Sequence, residues 1–188
     1  MGVPNGYTSA QVVQAVPTGI ASALVCVKSE TAFSAVSSIS ADSVFTSSYT
    51  NYLILVEYAP SSTPSMYLQF RASGSATTTN YNYSGFQMTS SVAQSFGYNA
   101  SQSSIRLGDN GGSDTVGYLQ INLYSPQVAN KTGLIAHNLR FDGAYSAPLM
   151  QGSAGNQNSS TQFDGFIITP STGTVTGSYT VYGYSKTV

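Results

Sequence analysis

Apolar side chains recur at every second position in two separate stretches of this chain. Met66, Leu68, Phe70 and Ala72 alternate with Tyr67, Gln69 and Arg71; Leu119, Ile121 and Leu123 alternate with Tyr118, Gln120, Asn122 and Tyr124. A period of two puts one set of side chains on one face of a β-strand and the other set on the opposite face, which a helix cannot do. Leu53-Ile54-Leu55-Val56 is instead a short unbroken apolar run, the pattern of a strand covered on both faces.

Further strands are expected over 23–30, 33–39, 81–89, 104–107, 134–141, 163–169 and 174–184. Turn chemistry separates them. Pro60-Ser61-Ser62-Thr63-Pro64, Ser73-Gly74-Ser75 and Pro170-Ser171-Thr172-Gly173 each break the chain, and Asp109-Asn110-Gly111-Gly112 offers the positive-φ positions of a tight hairpin. Short strands at this spacing predict an antiparallel β sandwich or a barrel. Only residues 9–16 could form a helix, and their pattern is weak. Residues 1–22, broken by Pro4, Gly6, Pro17 and Gly19, read as an extended N-terminal arm that docks on a neighbouring subunit. Residues 23–188 read as the folded all-β domain.

Composition enters through what is missing. Charged residues make up 7% of 188 residues, with a net charge of -1, against about 25% in an ordinary soluble domain. Net charge near zero promotes association, so a chain polar through hydroxyls and amides suits an assembly. The cations Lys28, Arg71, Arg106, Lys131, Arg140 and Lys186 are scattered. Nucleic-acid binding needs clustered cations, so no nucleic-acid partner is expected. No run reaches the length of a membrane span. Nor does any cationic start precede an unbroken apolar segment, so retention in the cell until assembly or lysis is expected. Cys26, the single cysteine, reads as a buried thiol in an apolar strand.

Catalytic signatures are missing too. His137 is the only histidine, and no serine sits in a G-x-S-x-G elbow; strand alternation makes His137 an ordinary hydrogen-bonding side chain. The acids Glu30, Asp42, Glu57, Asp109, Asp114, Asp142 and Asp164 show no spacing that pairs two of them. No cofactor motif appears. Asp109 to Asp114 gathers oxygen ligands around glycines, as calcium prefers, but the closing bidentate Glu is absent and a hairpin turn explains the same residues. The Asn-x-Ser/Thr sequons at Asn82, Asn99, Asn130 and Asn158 say nothing without a secretory signal. Tyr81, Asn82 and Tyr83, and the group Tyr179, Tyr182 and Tyr184, couple flat apolar faces to polar tips. They suit a subunit interface, the core, or the stacking of a sugar.

Two segments carry a family resemblance. One runs Val44-Phe45-Thr46-Ser47-Ser48-Tyr49-Thr50-Asn51-Tyr52-Leu53-Ile54, then Leu68-Gln69-Phe70-Arg71-Ala72-Ser73-Gly74 and Asn80-Tyr81-Asn82-Tyr83. The other runs Phe163-Asp164-Gly165-Phe166-Ile167-Ile168, then Gly173-Thr174-Val175-Thr176-Gly177 and Val181-Tyr182-Gly183-Tyr184. Over residues 35–85 and 160–186 the chain resembles virion structural proteins of tailed bacteriophages, especially those of marine and cyanobacterial phages. The resemblance implies a jelly-roll-like β sandwich, often a homotrimer, on the outside of a particle. Such proteins serve as head decoration or cement proteins, or as parts of tail fibres. It implies other virion proteins as partners, host surface polysaccharide for a fibre, and no enzymatic activity.

Overall fold

The computed structural model describes residues 23–88, 93–109, 116–142 and 147–186. The arm 1–22 and the loop 110–115 lie outside the described residues. The described chain is all-β and antiparallel. Its strands are β1 (Leu24–Val36), β2 (Ile39–Ala41), β3 (Asn51–Pro60), β4 (Ser65–Ala72), β5 (Ser75–Ala76), β6 (Tyr81–Met88), β7 (Ala93–Gln102), β8 (Ile105–Asp109), β9 (Gly117–Tyr124), β10 (Thr132–Asp142), β11 (Ala147–Gln157), β12 (Gly165–Pro170) and β13 (Val175–Tyr184).

Two sheets share one core. The large sheet has eight strands in the order β1-β13-β3-β9-β10-β11-β6-β7; the small one runs β2-β12-β4, with β5 and β8 both on the far edge of β4. The alternation read from the sequence decides which side chains meet between them. Met66, Leu68 and Phe70 of β4 and Leu119, Ile121 and Leu123 of β9 all point inward and are buried. Phe166 of β12 meets Tyr179 of β13 edge-on at 5.8 Å across the gap, and Phe70 stacks on Phe163 at 5.1 Å. Each such fully buried side chain contributes about 1.5–3 kcal/mol of hydrophobic stabilisation.

Four expectations change. The residues 23–30 and 33–39, expected as separate strands, largely join into the bulged edge strand β1. The Asp109 turn does not close a hairpin: β8 pairs with β4 in the small sheet and β9 with β3 and β10 in the large one, so the chain changes sheets there. The run 53–56 is covered on both faces only in part. Leu53, Ile54 and Val56 are buried, whereas Leu55 is 40% exposed, because nothing among the described residues packs on the outer face of the large sheet at that point. Cys26 is likewise exposed, on the edge strand β1.

Candidate functional site

Registers in the large sheet set its outer face out as rows that cross the strands. One row runs Thr180, Leu55, Gln120, His137, Gly152 and Phe86; the next runs Ser178, Glu57, Tyr118, Leu139, Met150 and Met88. A third runs Tyr182, Leu53, Asn122, Ile135, Ala154 and Ser84. Leu55, Tyr118, Ile135, Leu139, Met150, Phe86 and Met88 are all exposed at 40% or more. Single exposed apolar residues are ordinary, but contiguous ones mark contact surfaces.

His137 sits where two shallow grooves meet. The first, about 400 Å³, is lined by Leu55, Tyr118, Gln120, His137, Leu139 and Thr180. The second, about 360 Å³, is lined by Phe86, Ile135, His137, Gly152 and Ala154 among others. A third of about 380 Å³ continues the face toward one end, with Asn82, Tyr83, Tyr98, Tyr124 and Asn156 around it. Phe86 lies over Gly152, where a Cβ would come within 2.6 Å of the ring. The glycine therefore lets the aromatic ring lie flat on its neighbour strand.

Charge is nearly missing from this face. Strands β9, β11, β6 and β7 contain no Asp, Glu, Lys or Arg, and Arg140 of β10 is buried on the inward side. Glu57 of β3 and Glu30 of β1, which accepts a hydrogen bond from the Ser178 hydroxyl at 2.9 Å, mark one flank. Three further acids are engaged elsewhere. Asp42 pairs with Arg71 at 2.6 Å, Asp109 with Arg106, and Asp164 accepts the Ser73 N–H at 3.2 Å. Among the described residues no three His, Cys, Asp or Glu side chains come together as metal ligands do. Most of the Asp109–Asp114 stretch lies outside the described residues.

The three residues read from the sequence as a contact part company. Tyr81 is wholly buried; its hydroxyl accepts the Phe70 N–H at 2.8 Å and donates to the Thr77 carbonyl at 3.0 Å. Burial raises its pKa well above the ordinary tyrosine value. Of the roles open to it, Tyr81 takes the core one. Asn82 and Tyr83 line the third groove, with the Asn82 carbonyl oxygen also accepting the Ser101 N–H at 3.0 Å. Tyr83 is half-buried against the core and Phe96, and desolvation raises its pKa as well. Tyr179 is core, while Tyr184 donates to Asn122 at 2.9 Å. Sequence reasoning missed Leu55, Ile135, Leu139 and Met150 as surface residues. Alternation within 134–141 is visible for Ile135 and Leu139, but which face lacks a cover is not; Leu55 sits in an unbroken run and Met150 in a strand the sequence does not announce.

No protein-family model, curated protein or solved structure matches the chain. The functional reading therefore rests on the geometry of the face and on the residues that carry the phage resemblance.

Proposed function

We propose that this chain is a non-enzymatic structural subunit of a bacteriophage virion, mounted on the outside of the particle as a homotrimer that decorates and reinforces it. The observation that carries the assembly role is the broad uncharged face of the large sheet, with His137 in its middle. Uncharged, partly apolar surface is what repeated copies need in order to pack without mutual repulsion. The placement in a phage particle rests on the resemblance over residues 35–85 and 160–186.

Strand order supports a jelly-roll reading. The set β1, β13, β3, β9 faces the set β2, β12, β4, β8, so successive strands keep crossing between the sheets. That interleaving is what two Greek keys produce. The strand pairs β6–β7 and β10–β11 then extend one sheet and widen its outer face.

One observation favours a second reading, a tail-fibre module adhering to host surface polysaccharide. The third groove combines the rings of Tyr98 and Tyr124 with the amides of Asn82 and Asn156, a pairing suited to sugar rings and their hydroxyls. The test has two arms. Imaging of the virion with this chain tagged is expected to place it on the particle surface; a particle without it sinks the virion role. Binding of host polysaccharide that disappears in Tyr98→Ala and Tyr124→Ala would replace decoration by adhesion.

A further inference from the structure

We propose that the outer face of the large sheet is the seat of a second copy of this chain, with His137 and Leu139 near the centre of the contact. This inference rests on the assembly reading above; a face that meets its own copy makes a two-fold contact, which joins one trimer to another and does not close a trimer.

Size is the first argument. Eight strands at about 4.8 Å spacing, each contributing about eight residues at 3.4 Å, present roughly 900 Å². A standard stable interface takes roughly 800 Å² from each partner. The face is thus wide enough to hold one copy without help from the small sheet.

Chemistry is the second. An anionic partner, whether nucleic acid or an acidic membrane, would need cations, and the described outer side chains of β9, β10, β11, β6 and β7 supply none. A strongly basic partner would need carboxylates, and only Glu57 and Glu30 stand at one flank. The exposed side chains are mainly aliphatic and aromatic, with Gln120, Asn122 and His137 between them. Each of those polar groups can both donate and accept hydrogen bonds, so a copy of the same surface is a chemically sufficient partner. Aliphatic side chains such as Leu55, Ile135 and Leu139 give a sugar little to hydrogen-bond, which favours protein over glycan at the centre of the face.

The third argument comes from the sequence. An unbroken run such as Leu53-Ile54-Leu55-Val56 belongs to strands covered on both faces. The chain covers Leu53, Ile54 and Val56 itself and leaves Leu55 exposed. A second copy supplies the missing cover.

The experiment compares the mass in solution of the native chain with Leu139→Asp and Ile135→Asp on this face, and with Ser40→Asp, whose site is exposed on the small sheet. Circular dichroism and thermal unfolding verify that each variant folds. The native chain and Ser40→Asp are expected to be oligomers of equal mass. Leu139→Asp and Ile135→Asp are expected to weaken association by roughly 100-fold or more, as truncation at an interface centre does. If all variants keep the native mass, the proposed seat falls while the assembly reading stands. A native chain that is monomeric at high concentration, yet present on particles, also removes the seat and leaves the virion role. A monomer that neither joins particles nor associates overturns both. Should the aspartate variants fail to fold, His137→Cys in a Cys26→Ser background replaces them. Rapid linking of two copies by a short bis-maleimide supports the seat, and persistence of the unlinked chain overturns it.

Discussion

At the scale of single residues, a buried amide network ties β8 to the large sheet. The Gln151 carbonyl oxygen accepts the Asp109 N–H at 2.7 Å and the Asn138 amide at 3.1 Å, while its own amide donates to Gln87 at 2.9 Å. The Tyr58 hydroxyl reaches the Asn138 carbonyl oxygen at 3.3 Å. Gln151→Leu leaves the Asp109 N–H and one of the two Asn138 amide N–H groups without their partner, the other still donating to the Asp109 carbonyl, and each buried group left unpaired costs about 1–3 kcal/mol. Urea unfolding is therefore expected to show a loss of about 3 kcal/mol or more for this variant; a loss within error of zero would mean the network contributes nothing. Thr132 presents the opposite case. Its buried hydroxyl has no hydrogen-bond partner among the described residues, so the isosteric Thr132→Val is expected to raise stability by up to about 1 kcal/mol in the same assay. Neither role was legible in the sequence, because Gln151 and Thr132 look like any other polar residue until the strands that surround them are known.

Strands in this molecule borrow bulk from one another. The ring of Tyr58 lies over Gly117, its partner in register, where a Cβ would sit 2.4 Å from the ring; Phe96 covers Gly85 and Phe86 covers Gly152 in the same way. An aromatic residue opposite a strand glycine fills the space that the glycine leaves. Gly117→Val must expel the Tyr58 ring from the core and with it the bond to Asn138. Overpacking of this kind costs about 1–3 kcal/mol, and a thermal shift is the direct measure; an unchanged melting temperature would show that the ring yields freely. The same borrowing explains which strands could be read. β4 and β9 carry their own apolar residues at alternate positions, so both were visible. β11 (Ala147–Gln157) carries Gly152, Ser153, Ala154 and Gly155, and its hydrophobic cover comes from Phe86 and Ile105 on other strands. β7 (Ala93–Gln102) is small and polar apart from Phe96 and Tyr98. A reading of each stretch by itself has no access to bulk supplied from elsewhere. The outer face escaped for a related reason: alternation separates two faces but does not say which one a neighbour covers.

At the scale of the whole molecule, stability depends on tyrosines in place of charges. The chain has 14 Tyr and 7% charged residues. Desolvation raises the pKa of Tyr52, Tyr81, Tyr83 and Tyr179. The Tyr52 hydroxyl fixes the approach to β3 by donating to the Thr46 carbonyl at 2.7 Å and accepting its N–H at 2.6 Å. Tyr81 likewise joins β4 to the loop before β6. A folded-state pKa above the unfolded one means that the unfolded chain releases its proton first. The stabilisation is then fully present below the unfolded tyrosine value of about 10 and is lost as pH rises from there through the higher folded values. With few carboxylates held in ion pairs, the acid side has correspondingly less to lose. The expected profile is a melting temperature nearly flat across neutral pH that falls steeply above about pH 10. Tyr81→Phe is the control: it lowers stability at neutral pH by removing the hydroxyl's two bonds, and it should also flatten part of the alkaline fall. A melting temperature that holds well above pH 10, or an alkaline fall of the same steepness in Tyr81→Phe, would show that the buried hydroxyls do not govern the molecule's tolerance of base.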